Sequence, residues 1–143
     1  QNPYDPQKNV WIVDDYRHAI FLFSNDGKRL LKTIGVPNGP GSDARHFYPP
    51  TFMAFLPDAF FLADGYASNH IFKFDKTGKY LMHFGSPGNE LKQFNTAHGM
   101  VLDTRYDPPR LLICDRNHQP KGRLLHYSLE GEFIEEVNAA IAG

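Results

Sequence analysis

The run "FFLADGYASNHIFKFDKTGKYLMHFG", Phe60–Gly85, decides the fold. One apolar segment closes on Asp64-Gly65-Tyr66. A second runs into the turn Asp75-Lys76-Thr77-Gly78, and a third ends at Gly85. The alternation in "HIFKFD" has period 2, which marks a strand with one face toward a core. Glycine suits the turn because it accepts a positive φ without steric cost. The stretch therefore reads strand, turn, strand, turn, strand.

The same grammar occurs twice more. "VWIVDDYRHAIFLFSNDGKRLLKTIG" begins at Val10, and "LLICDRNHQPKGRLLHYSLEGEFIEEV" begins at Leu111. The aspartates that close the first run, Asp14, Asp64 and Asp115, lie 50 and 51 residues apart. A turn glycine follows each, at Gly27, Gly78 and Gly131. A fourth strand precedes two of the units, in "PTFMAFLPD" and "AHGMVLDTR", with Met53 and Met100 in register. Four antiparallel strands in about fifty residues are the period of a β-propeller blade. The runner-up is a stacked antiparallel sandwich, which gives no reason for so regular a repeat. The tail "NAAIAG" is the sole helix candidate.

The fold class is thus all-β, a propeller of four-stranded antiparallel blades with about three blades in this chain. Blade 1 covers about residues 1–36, blade 2 about 49–86 and blade 3 about 96–138. Blade 1 lacks most of its inner strand, because Pro3 and Pro6 interrupt "QNPYDPQKN". Propellers close with about four to eight blades, and an open wedge leaves strand edges exposed. Closure to six blades is expected, through further blades of a longer chain or through a homodimer with two-fold symmetry.

Composition narrows the function. Fifteen basic side chains face sixteen acidic ones, so no net field draws the chain to nucleic acid or an anionic membrane. No apolar run reaches the roughly 20 residues of a spanning helix. The single Cys114, within "LLICD", is read as a small buried strand residue.

Strand order gathers the varied residues on one rim. The ends of the second strands, the start of the inner strand "AHGM", and the connections "VPNGPGSDARHFYPP" and "SPGNELKQFN" all lie there, where function usually sits. His98 reads either as a hydrogen-bonded strand histidine or as a metal ligand, with further ligands a whole blade away. The remaining histidines are scattered, and none has ligand spacing to His98. Tyr66 either packs the rim or moves a proton; its counterpart Tyr16 favours packing. Arg116 either pairs near Asp115 or holds a ligand carboxylate in its fork. Asp14, Asp64 and Asp115 recur, which points to accepting backbone N–H groups in the turn that follows each. Asp64, Asp115 and Asn117 are also the candidate binding groups of the rim. "PNGPGSD" lacks the spacing of a phosphate loop.

These segments resemble the NHL-repeat propellers. More specifically, "PGSDARHFYPPTFMAF", "ADGYASNHIFKFDKTGKYLMHFG", "KQFNTAHGMVLD" and "LLICDRN" are similar, in order and interval, to the peptidyl-α-hydroxyglycine α-amidating lyase domain. The resemblance implies a six-bladed propeller with a catalytic zinc held by histidines of separate blades and a structural calcium. It implies cleavage of a peptidyl hydroxyglycine to peptide amide and glyoxylate, in an extracellular or periplasmic setting. It makes His98 a zinc ligand, Tyr66 the base and Arg116 an active-site arginine. Two departures stand out. Ala97 replaces the family's proline, and "RNHQPKGR" carries an insertion. The other zinc histidines and most calcium ligands have no counterpart here, so the chain alone is expected to lack independent lyase activity. The rival expectations are a non-catalytic scaffold holding a peptide or protein on its rim, and a self-assembling half-propeller.

Overall fold

A computed structural model describes residues 1–137; the tail read as a helix candidate lies outside them. The described residues form eleven strands and no helix. Strands β1 (Val10–Asp14), β2 (Ala19–Phe23) and β3 (Leu30–Gly35) make one antiparallel sheet. The second sheet is β4 (Phe52–Phe55), β5 (Ala59–Asp64), β6 (His70–Asp75) and β7 (Tyr80–Phe84). The third is β8 (Ala97–Asp103), β9 (Arg110–Asp115), β10 (Arg123–Tyr127) and β11 (Phe133–Val137). Each sheet keeps sequence order, and β4 lies against β8. These are three blades, the first without its inner strand. The turn glycines have φ of 73° (Gly27), 92° (Gly78) and 85° (Gly131), the region the hairpins demand.

Residues 1–9 form turns instead of an inner strand. Pro3 and Tyr4 line a cavity of about 310 Å³ with Phe52, Met53, Met100 and Val101 of the two inner strands.

Two apolar layers join the blades. Between blades 1 and 2 lie Ile20, Phe47, Met53, Phe60, Leu62, Phe72 and Phe74. Between blades 2 and 3 lie Phe61, Ala63, Ile71, Phe94, Met100, Ile113 and Tyr127, among others. Strand β5 is buried at all six positions: Phe60 and Leu62 face one neighbour, Phe61 and Ala63 the other. That is why its sequence is apolar without alternation. Strand β1, flanked on one side only, leaves Ile12 45% exposed. On the other terminal blade Val101 is 54% exposed. Cys114 is in β9 as expected but only half-buried, because its face of blade 3 has no neighbour among the described residues.

Phe47 and Phe94 each sit six residues before an inner-strand methionine and are fully buried. An added Cβ at Gly35 would meet the Phe47 ring at 2.9 Å, and one at Gly85 the Phe94 ring at 2.6 Å. The ring plugs the space under the glycine that ends the preceding blade. This element of the repeat carries no turn signal, so sequence patterning does not reveal it.

Candidate functional site

Blade 2 grips the strand that carries His98. Asn69 Oδ1 accepts the N–H groups of Thr96 (2.9 Å) and Ala97 (3.0 Å). The Thr51 hydroxyl donates to the Ala97 carbonyl at 2.8 Å. At Gly65 a Cβ would stand 1.8 Å from that same carbonyl oxygen, so only glycine admits the approach. Ala97 is therefore held through its N–H, its carbonyl and its packing. Register then jumps between Ala97 and Met100. This β-bulge re-aims His98 toward the mouth.

Three predicted residues meet there. The Tyr66 hydroxyl is 3.3 Å from His98 Nε2, and the rings meet edge to face with centroids 5.9 Å apart. The guanidinium carbon of Arg116 lies 5.5 Å from the centre of the Tyr66 ring, within cation–π reach. Tyr66 is 41% exposed, so the phenol is open to solvent and to a ligand. Arg116 is exposed and makes no ion pair among the described residues, which leaves its donor fork free. Asn117 borders the site, its side-chain amide donating to Thr96 Oγ1 at 2.9 Å. The Tyr66–His98 hydrogen bond takes its direction from the tautomer: the phenol donates to a bare Nε2, or an Nε2–H donates to the phenol.

Several expectations need correction. Asp64 and Asp115 are fully buried and do not reach the mouth, so they are not binding groups of the rim. Nor do their side chains accept backbone N–H groups of the turn that follows them, although Asp64 accepts the Ser68 hydroxyl there. Asp64 Oδ1 accepts the N–H of Tyr48 at 2.7 Å, and Asp115 Oδ1 accepts that of Asn95 at 2.7 Å. Both acceptor bonds brace the connection entering the inner strand. Of the three, only Asp14, whose blade lacks that strand, accepts a backbone N–H of its own turn, from Arg17 at 2.9 Å. Asp115 pairs with the buried Arg123 (Nε to Oδ2 3.0 Å), not with Arg116. Among the described residues Asp64 has Ser68 as its side-chain donor and no cation, and burial pushes its carboxyl up to about 6. Tyr16 is 85% exposed and packs no rim: in the next blade Thr51 stands where blade 3 has His98, so the counterpart contact does not exist.

Sequence reasoning missed Asn69 and Thr51. Asn69 takes a positive φ of 52°, a conformation asparagine tolerates, but its bond to the next blade has no sequence signal.

Zinc fits this site incompletely. A catalytic zinc takes about three protein ligands. Among the described residues no group of three or more His, Cys, Asp or Glu side chains is placed to hold a metal ion, calcium included. The mouth supplies one imidazole. Among the same residues no helix is long and apolar enough to cross a membrane.

Comparison with known proteins gives the chain's family. The chain is 35% identical over 133 residues, 90% of its length, to peptidyl-alpha-hydroxyglycine alpha-amidating lyase 2 of Drosophila melanogaster. It is 40% identical over 103 residues, 69% of its length, to lyase 1 of the same organism. This chain is a relative of the amidating lyases. It is also 32% identical over 149 residues, 97% of its length, to peptidylglycine alpha-amidating monooxygenase of Rattus norvegicus. This amidating-lyase relative spans 32%, 17% and 14% of those three proteins respectively. No family model matches the chain.

Proposed function

We propose that the Tyr66–His98–Arg116 mouth binds the C-terminal hydroxyglycine of a peptide and belongs to a lyase centre that cleaves it. The observation that carries this reading is the convergence of a phenol, an imidazole and an unpaired guanidinium from two blades. Arg116 takes the substrate carboxylate in a two-bond fork. The Tyr66 oxygen, hydrogen-bonded to His98, accepts the proton of the substrate hydroxyl. The C–O bond becomes a carbonyl as the C–N bond breaks, and the same proton passes to the departing amide nitrogen. The products are peptide amide and glyoxylate, with no external oxidant or reductant. A zinc ion, which the resemblance to the lyase domain implies, would need donors beyond His98.

The single imidazole at the mouth also supports a second reading, a non-catalytic scaffold that holds such a peptide end without cleaving it. One pair of measurements separates them. Calorimetry compares a peptide ending in α-hydroxyglycine with its amide, and an assay follows glyoxylate release. Both readings expect the acid to bind and Arg116→Ala to weaken it by about 1.5–3 kcal/mol, the worth of a charged hydrogen bond. Measured on the chain together with the blades that complete its ring, glyoxylate release lost in Tyr66→Phe supports the lyase centre; binding without release supports the scaffold. Equal binding of acid and amide would remove the basis of both.

A further inference from the structure

In the two outer strands of blade 2, two histidines that no short motif connects come together. His70 opens β6 and His83 lies in the neighbouring β7. Their ring centres are 4.8 Å apart with the planes tilted by 40°. The His83 ring is held from behind, its Nδ1 lying 2.7 Å from the Tyr80 hydroxyl. His70 Nδ1 is buried and has no hydrogen-bond partner among the described residues. The His70 ring also stands edge to face on Phe72, with centroids 5.5 Å apart. Burial, and then the neighbouring His83, lower the basicity of His70, so it presents a neutral imidazole.

This separation has a meaning in coordination chemistry. A zinc–imidazole bond is about 2.0–2.1 Å. The ring centre lies roughly 1.2 Å behind the nitrogen, about 3.2 Å from the ion. Two rings on one ion, at angles between square and tetrahedral, then have centres about 4.5–5.2 Å apart. The observed distance of 4.8 Å falls inside that range. The Tyr80 hydroxyl supplies the outer hydrogen bond that fixes ring orientation in metal sites. Neutral imidazole suits zinc, copper and nickel, whereas magnesium and calcium prefer oxygen.

We infer that His70 and His83, steadied by Tyr80, form a two-imidazole site for a divalent transition-metal ion, with water completing the coordination. It is independent of the mouth and shares no residue with it.

The test is calorimetric titration of the chain with Ni²⁺ alone. The expected result is one strong ion per chain, retained in His98→Ala and not displaced by Mg²⁺ or Ca²⁺. Losing an outer-shell partner costs about 10–100-fold in affinity, so His83→Ala, which loses a ligand, should weaken binding at least about tenfold. His83 is exposed, so this variant should keep the wild-type unfolding midpoint in the absence of metal. His70→Gln provides a second variant with the same expected loss. Unchanged affinity in both variants, or binding abolished by His98→Ala, overturns the inference.

Discussion

Asp64→Asn offers a sharp test of how the rim is built. In the native fold this carboxyl is fully buried and, among the described residues, has no cation beside it. Burial lifts it from 3.8 to about 6, against the pull of Ser68 and of the Tyr48 N–H. The folded state therefore binds a proton more tightly than the unfolded chain does. Below about pH 4 both states are protonated at this site and no penalty arises. As pH rises through about 4 to 6, the unfolded chain ionises first, and stability falls. A tenfold difference in proton affinity is worth about 1.4 kcal/mol, so the loss above pH 6 is about 3 kcal/mol at most. Asparagine reproduces the neutral acid: its oxygen accepts from Tyr48 N–H, and its amide donates to Ser68 Oγ. Urea unfolding of both proteins from about pH 4 to pH 7 should show the variant gaining about 1–3 kcal/mol relative to the native chain across that interval. Groups elsewhere cancel in the difference. A difference that stays flat across the interval, or one that moves in favour of the native chain, refutes this account of Asp64.

Gly65→Ala places a methyl group 1.8 Å from the Ala97 carbonyl oxygen, so blades 2 and 3 must part; overpacking of this kind costs about 1–3 kcal/mol. The thermal midpoint should fall and the Tyr66–His98 contact should vanish from nuclear Overhauser spectra, whereas an unchanged midpoint would show that the junction yields freely. Arg123→Met leaves the buried Asp115 carboxylate without its cation and is expected to destabilise by about 3–5 kcal/mol. Adding Asp115→Asn should recover part of that loss; strict additivity in the double-mutant cycle would mean the pair is uncoupled. The exposed apolar residues of the two terminal blades, Ile12 and Val101 among them, favour self-association, so light scattering should give about twice 16.3 kDa for a paired ring. A strictly monomeric mass at high concentration removes the homodimer.

The three-blade architecture, the turn glycines and the rim were all readable from the sequence. So was the meeting of Tyr66, His98 and Arg116, because strand order alone sends the ends of second strands and the starts of inner strands to one level. The roles of the aspartates were not. Their recurrence announced a structural task, but the bond partner of Asp64 sits 16 residues upstream at Tyr48. A carboxylate's choice among nearby donors depends on which loop is packed over it. The same holds for Arg123, chosen over the adjacent Arg116 because its place in β10 buries it against Asp115.

By itself, the sequence determined everything that depends on period: a side chain every second residue on a face, a glycine at each hairpin, a blade every fifty residues. These follow from local sterics and hydrophobic patterning, which act within a few residues of chain. Only the tertiary structure decided the contacts that cross between strands and blades: the Asn69 and Thr51 grip on Ala97, the bulge that turns His98, and the approach of His70 to His83. Those depend on a few ångströms of register and packing, and residues distant in sequence acquire them only once the sheets are stacked.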